Sequence, residues 1–125
     1  MSTRVVFDQE LQDLCDDLLR LGSMVDSAIS RSIQALKERD QSLAQHIIAD
    51  DGAINELRFK IEEDCLSLIA RQQPAVRDLR FIVAAINIVL DLERIADRVT
   101  NSCERVVFVA TGRMEEISSD PGPNV

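Results

Sequence analysis

The sequence predicts an all-α protein, an antiparallel three-helix bundle. Three observations carry this expectation. Between Asp8 and Val109 the chain-breaking residues are only Gly22, Gly52 and Pro74, and a chain so poor in breakers forms long helices. No segment alternates apolar and polar residues with period two, which removes the strand signature. Apolar residues recur instead every three or four positions, the spacing of one helical face.

The first helix is expected over roughly Phe7 to Lys37. Leu11, Leu14, Leu18, Leu21, Val25, Ala28, Ser32 and Ala35 step by three and four along it, with Cys15, Ile29, Ile33 and Leu36 beside the seam. Lys37-Glu38-Arg39 is charged, and Asp40 has the side chain to cap the next helix. The second helix is expected over about Asp40 to Gln72, with Leu43, Ile47, Ile54, Leu57, Ile61 and Leu68 as its stripe and Cys65 and Ile69 adjoining. Gly52 falls inside it, costs about 1 kcal/mol against Ala, and is expected to loosen or kink the helix near Asp50-Asp51. Pro74 ends the helix, because the residue before a proline avoids right-handed helical geometry.

The third helix is expected from near Ala75 to about Ala110. Ile82, Ala85, Val89, Leu92, Ala96, Val99, Cys103, Val106 and Ala110 hold heptad spacing over four repeats. Thr111-Gly112 is the stop signal. Residues 1–111 therefore read as one domain, and 112–125, polar and Pro/Gly-punctuated, as a flexible tail or truncated linker. Three such helices on short turns must run antiparallel and bury their stripes together.

Composition narrows the function. The 125 residues are 46% hydrophobic and 29% charged, enough apolar material for a core without disulfides or structural metal. With four Phe, no Trp and no Tyr, a base-stacking nucleic-acid module is not expected. The net charge of -8 repels phosphate backbones and anionic lipid and favours cations or a basic protein surface. The longest apolar run, Phe81 to Leu90, is half a bilayer span and contains Asn87, so no membrane insertion is expected. The start, MSTRVVFDQE, has no apolar signal region. Cys15, Cys65 and Cys103 form no CxxC pair and read as reduced thiols of a cytoplasmic protein, most simply as small buried hydrophobes. A lone His46 is expected at the surface or its boundary. No nucleophile, base and oxyanion set is visible, so the chain is not expected to be an enzyme.

One constellation bears on chemistry. Glu93 and Asp97, spaced i and i+4, share a helical face, and Asn101 continues it. Asp51 and Asn55 repeat the spacing on the second helix. Neighbouring carboxylates repel, and a bound cation reverses that sign. Hard cations want about six oxygens, so two helices must contribute, and a carboxylate and amide set suits magnesium, calcium, manganese or iron better than copper. Set against this, acidic i,i+4 pairs are usually solvated, and Arg94 and Arg98 are at hand to screen them. In QQPAVRDLR, Asp78 complements the helix dipole, and Arg77 and Arg80 are expected to pair with Glu62 or Glu63.

DLERIADRVTN resembles the ERIGD-type segment of the PhoU family of bacterial phosphate-signalling proteins. CLSLIARQQPAVRDLR is similar to that family's LIA-x-QQP-x-A-x-DLR stretch. DQSLAQHIIADDGAINELRFKIEEDCL follows its D-x-x-LA start, internal D-x-x-I-D and later IE, and FDQEL with Met24 and Ala28 fits its first helix. The resemblance covers roughly residues 7 to 110. It implies one PhoU-like repeat, itself a three-helix bundle, where the family usually has two in tandem. It also implies metal sites at paired E/D-x-x-x-D motifs: here Glu93 to Asp97, and Asp51 to Asn55, where Asn55 keeps an oxygen but drops a charge. Arg80, Arg94 and Asn101 are the expected supporting residues. The implied ion is iron, zinc, magnesium, manganese or calcium.

The functional expectation is a cytoplasmic adaptor without enzyme activity, restraining phosphate-starvation signalling. The resemblance implies its partners, the ATPase of the phosphate ABC transporter and a membrane-bound histidine kinase. A single bundle with an exposed apolar groove is expected to pair as a homodimer that imitates the tandem arrangement. Two other classes remain open: a metal-binding carboxylate bundle, which the absence of ExxH pairs opposes, and a structural dimerisation module.

Overall fold

The computed structural model describes residues 3–112, and within them three helices follow one another: α1 (Thr3–Glu38), α2 (Gln41–Gln72) and α3 (Val76–Thr111). No strand occurs among the described residues. The expected tail falls outside them from Arg113 onward. Each helix is about 50 Å long at 1.5 Å per residue.

The two turns are made by side-chain and backbone chemistry rather than by glycine. After α1 the Asp40 amide donates to Ala35 O (2.9 Å) and the Arg39 amide to Leu36 O (3.3 Å). This is the paired closure that satisfies the last carbonyls of a helix, with Arg39 in the left-handed region at φ 52. Asp40 then caps α2, its carboxylate accepting from the Leu43 amide at 3.0 Å. At the other end of α2, Gln73 (φ 44) takes the left-handed turn immediately before Pro74. The chain thus stops where the proline was expected to stop it, through a left-handed residue rather than an extended one. Gly112 (φ 73) closes α3, its amide donating to Phe108 O at 2.7 Å.

Cross-helix ion pairs read off the topology. Arg71–Glu10 (2.6 Å), Lys60–Asp17 (2.6 Å) and Arg31–Asp50 (3.0 Å) run α2 antiparallel to α1. Arg58–Glu93 (3.1 Å) runs α3 antiparallel to α2, and Arg4–Asp78 (3.1 Å) leaves α1 and α3 parallel. Most of these pairs are exposed at one end and stabilise little individually. The fold is held by the three stripes: Leu14, Leu21 and Val25 of α1, Ile48, Ile61, Cys65 and Leu68 of α2, and Ile82, Val89, Cys103 and Val107 of α3 are all but inaccessible.

Three sequence expectations are corrected. α2 passes through Gly52 unbroken, because Ile48, Asp51 and Ile54 around it are buried and hold the helix to its neighbours. Ile33 and Leu36 of α1 are exposed rather than part of the core margin. Asp78 is paired with Arg4 of α1, and Glu62 with Arg58. Arg77 and Arg80 sit at the start of α3, level with the last turn of α2, two or more turns beyond Glu62 and Glu63, so the antiparallel register separates those groups.

Candidate functional site

The seam between α2 and α3 carries the residues singled out for cation chemistry. Asp51, Asn55, Arg58 and Glu62 follow at i, i+4, i+7 and i+11 and so share one face of α2. That face meets α3, because the Arg58 guanidinium crosses to Glu93. Asp51 is buried at 3% exposure, and Asn55 donates its Nδ2 to Asp51 Oδ2 at 3.3 Å. The amide of Asn55 therefore serves its neighbour as a donor. Asp51 and Glu93 lie on the same seam, but Asp51 is two turns along α2 from Arg58, about 10 Å at helical rise.

Arg58 organises the level of Glu93. Its Nη1 lies 3.3 Å from Glu62 Oε1 and 3.1 Å from Glu93 Oε2, so one nitrogen serves two carboxylates on two helices. The side chain is only 15% exposed, and Glu93 30%. The guanidinium carbon stands 4.2 Å from the centre of the Phe59 ring. Arg58 Nε is buried and has no hydrogen-bond partner. Asp97 and Asn101, one and two turns beyond Glu93, are exposed. Arg94 points off this face and meets Asp91 at 3.7 Å. Arg80 is thirteen residues before Glu93 on the same helix, about 20 Å away, and has no part in the seam.

Among the described residues no three His, Cys, Asp or Glu side chains are grouped so as to hold a metal ion. The four residues Asp51, Asn55, Glu93 and Asp97 do not make a cation cage as they stand. They are spread over about 10 Å of seam, and a guanidinium already lies against Glu93. The sequence reading passed over Arg58 and gave Glu62 only as a partner for Arg77 or Arg80, where the structure pairs it with Arg58. The available signal was their i,i+4 spacing on the face already marked by Asp51 and Asn55.

Two other features bear on function. Between α1 and α3 opens an apolar groove of about 710 Å³ lined by Cys15, Leu18, Leu19, Phe81, Ile88 and Leu92, among others. Phe81, Ile88 and Ile95 recur at seven-residue spacing along α3 and stay exposed, a stripe of the kind that marks a contact surface. Two of the three thiols are not reactive centres: Cys65 and Cys103 are free and buried, and burial pushes both thiol pKa values up to about 11. His46 is exposed, with Nδ1 2.8 Å from Ser42 O.

A bundle without strands among the described residues, with two buried thiols, an acidic seam bridged by Arg58 and an open apolar groove, defines a helical scaffold whose distinctive features are surfaces. Among the described residues no helix is long and apolar enough to cross a membrane. The PhoU domain pattern matches residues 18–106, and the chain belongs to the PhoU family. It is 38% identical over 101 residues to a phosphate-specific transport system accessory protein PhoU homolog of Pseudomonas putida, covering 81% of this chain and 40% of that protein. Equally named proteins of Clostridium acetobutylicum and a Burkholderia species are 38% identical over 105 residues and 32% identical over 115. These matches cover 83% and 92% of this chain and 48% and 47% of the relatives. The chain thus spans less than half the length of the curated relatives it matches. No solved structure gives a significant match.

Proposed function

We propose that this chain is a cytoplasmic, non-enzymatic regulator of phosphate uptake and phosphate-starvation signalling. It acts as an adaptor on the ATPase of a phosphate ABC transporter and on a sensor histidine kinase. The observation that carries the reading is family membership across the helical core, with relatives named as accessory proteins of phosphate-specific transport. The geometry supports it: long, mostly charged helix faces and an unfilled groove suit docking. The test is co-purification of the untagged chain with the tagged transporter ATPase. Retention through washing at physiological salt is the expected result, and elution with the unbound fraction contradicts the reading.

The groove between α1 and α3 is the face by which two copies pair. Its support is the apolar stripe of Phe81, Ile88 and Ile95, which stays exposed along the groove, and a second copy offers the same stripe in return. The metal reading of Asp51, Asn55, Glu93 and Asp97, with iron, zinc, magnesium, manganese or calcium as the ion, is the reading that the Arg58–Glu93 pair opposes. It requires Arg58 to leave Glu93.

A further inference from the structure

Arg58 is an unusual place to find an arginine. It lies mostly buried on the α2 face that meets α3, at the level where Glu62 and Glu93 converge. One of its nitrogens serves both carboxylates, while its Nε is buried without any partner. A guanidinium has five N–H donors, and leaving one desolvated and unmatched is costly. The position is therefore poor as a hydrogen-bonding solution and good as a charge solution. Without Arg58, two carboxylates would face each other across a half-buried seam, with Asp97 one turn further along α3.

We propose that Arg58 is the resident cation of this seam. Its guanidinium supplies the positive charge that a bound multivalent ion would supply between two acidic helices, and keeps such an ion away from Glu93. The reason is Coulombic. A divalent ion ligated by Glu93 would sit within a few ångströms of the guanidinium, in a partly desolvated place where like charges repel strongly. The bundle therefore keeps its α2–α3 contact without metal. This inference goes beyond the adaptor reading and stands whether or not the chain binds a transporter.

The test uses the purified full chain, Mn2+ as the probe, and two readouts: titration calorimetry and the thermal unfolding midpoint. The variants are Arg58→Gln and Arg58→Gln combined with Glu93→Gln. The wild type is expected to show no saturable Mn2+ binding through the millimolar range and no Mn2+-dependent midpoint shift. Arg58→Gln is expected to unfold at lower temperature, to bind Mn2+ at least about tenfold more tightly than the wild type, and to recover its midpoint as Mn2+ is added. The double variant should lose that Mn2+ binding and unfold above the single variant. Equal Mn2+ affinity in wild type and Arg58→Gln overturns the proposal, as does an Arg58→Gln chain with unchanged midpoint and no Mn2+ binding. If Arg58→Gln alone does not fold, rescue by Mn2+ or by Glu93→Gln supports the proposal, and failure of both overturns it.

Discussion

Arg58 shows how one side chain can change what a spacing means. Glu93 and Asp97 at i,i+4 were legible as a shared acidic face. What stands opposite that face was not legible, because periodicity fixes which residues share a side of a helix but leaves open how far one helix slides past another. The slide is fixed in the shared core, where Ile61, Cys65 and Leu68 are buried together with Ile82 and Val89, and it brings Arg58, rather than Asp51, level with Glu93. The buried thiols carry a prediction of their own. Their pKa values rise from 9.0 to about 11 because burial disfavours the thiolate. Below pH 9 both states keep their protons and the stabilising preference for the folded state is intact. Between about 9 and about 11 the unfolded chain loses protons that the folded chain retains, so stability must fall as pH rises. Urea midpoints across that range should decline in the wild type and decline less in Cys65→Ala/Cys103→Ala. With a thiol-specific reagent at about pH 8, the half-exposed Cys15 should react well ahead of the other two.

The helices themselves were read closely from sequence, because each is bounded by local chemistry. Asp40 at the start of α2, Pro74 after its end and Gly112 after α3 all act where the sequence placed them. The turn after α1 was less visible. Its left-handed residue is Arg39 rather than a glycine, so no compositional flag marks it. An L-residue in that conformation costs about 1 kcal/mol or more, part of which a glycine would return as unfolded-state entropy. Arg39→Gly should therefore raise stability by a few tenths to about 1 kcal/mol, while Asp40→Ala should lower it by about 1 kcal/mol. Both are readable by chemical denaturation. Gly52 does not interrupt α2, since tertiary burial on either side of it holds the helix, but its propensity cost remains. A Cβ there meets nothing within 4 Å, so Gly52→Ala should stabilise the chain by about 0.5–1 kcal/mol.

Across the whole molecule, the three stripes close one core and leave one face open. The exposed Phe81, Ile88 and Ile95 of α3 and Leu19 of α1 flank a groove that no described segment fills. An exposed groove was anticipated in the sequence. Its location was not, because which side of the bundle stays uncovered depends on how α1 and α3 approach each other. If two copies meet there, light scattering should give twice the 14.0 kDa chain mass at micromolar concentration. Leu19→Glu or Ile88→Glu should return the single mass without loss of helicity, and a single mass in the wild type contradicts pairing. The proposed adaptor role belongs to this same scale, since surfaces would perform it. Its most direct test is a phosphate-starvation reporter in phosphate-replete cells from which this chain has been removed. The account predicts that the reporter rises on removal and falls again when the chain is restored. A reporter that stays at its repressed level without the chain would contradict it.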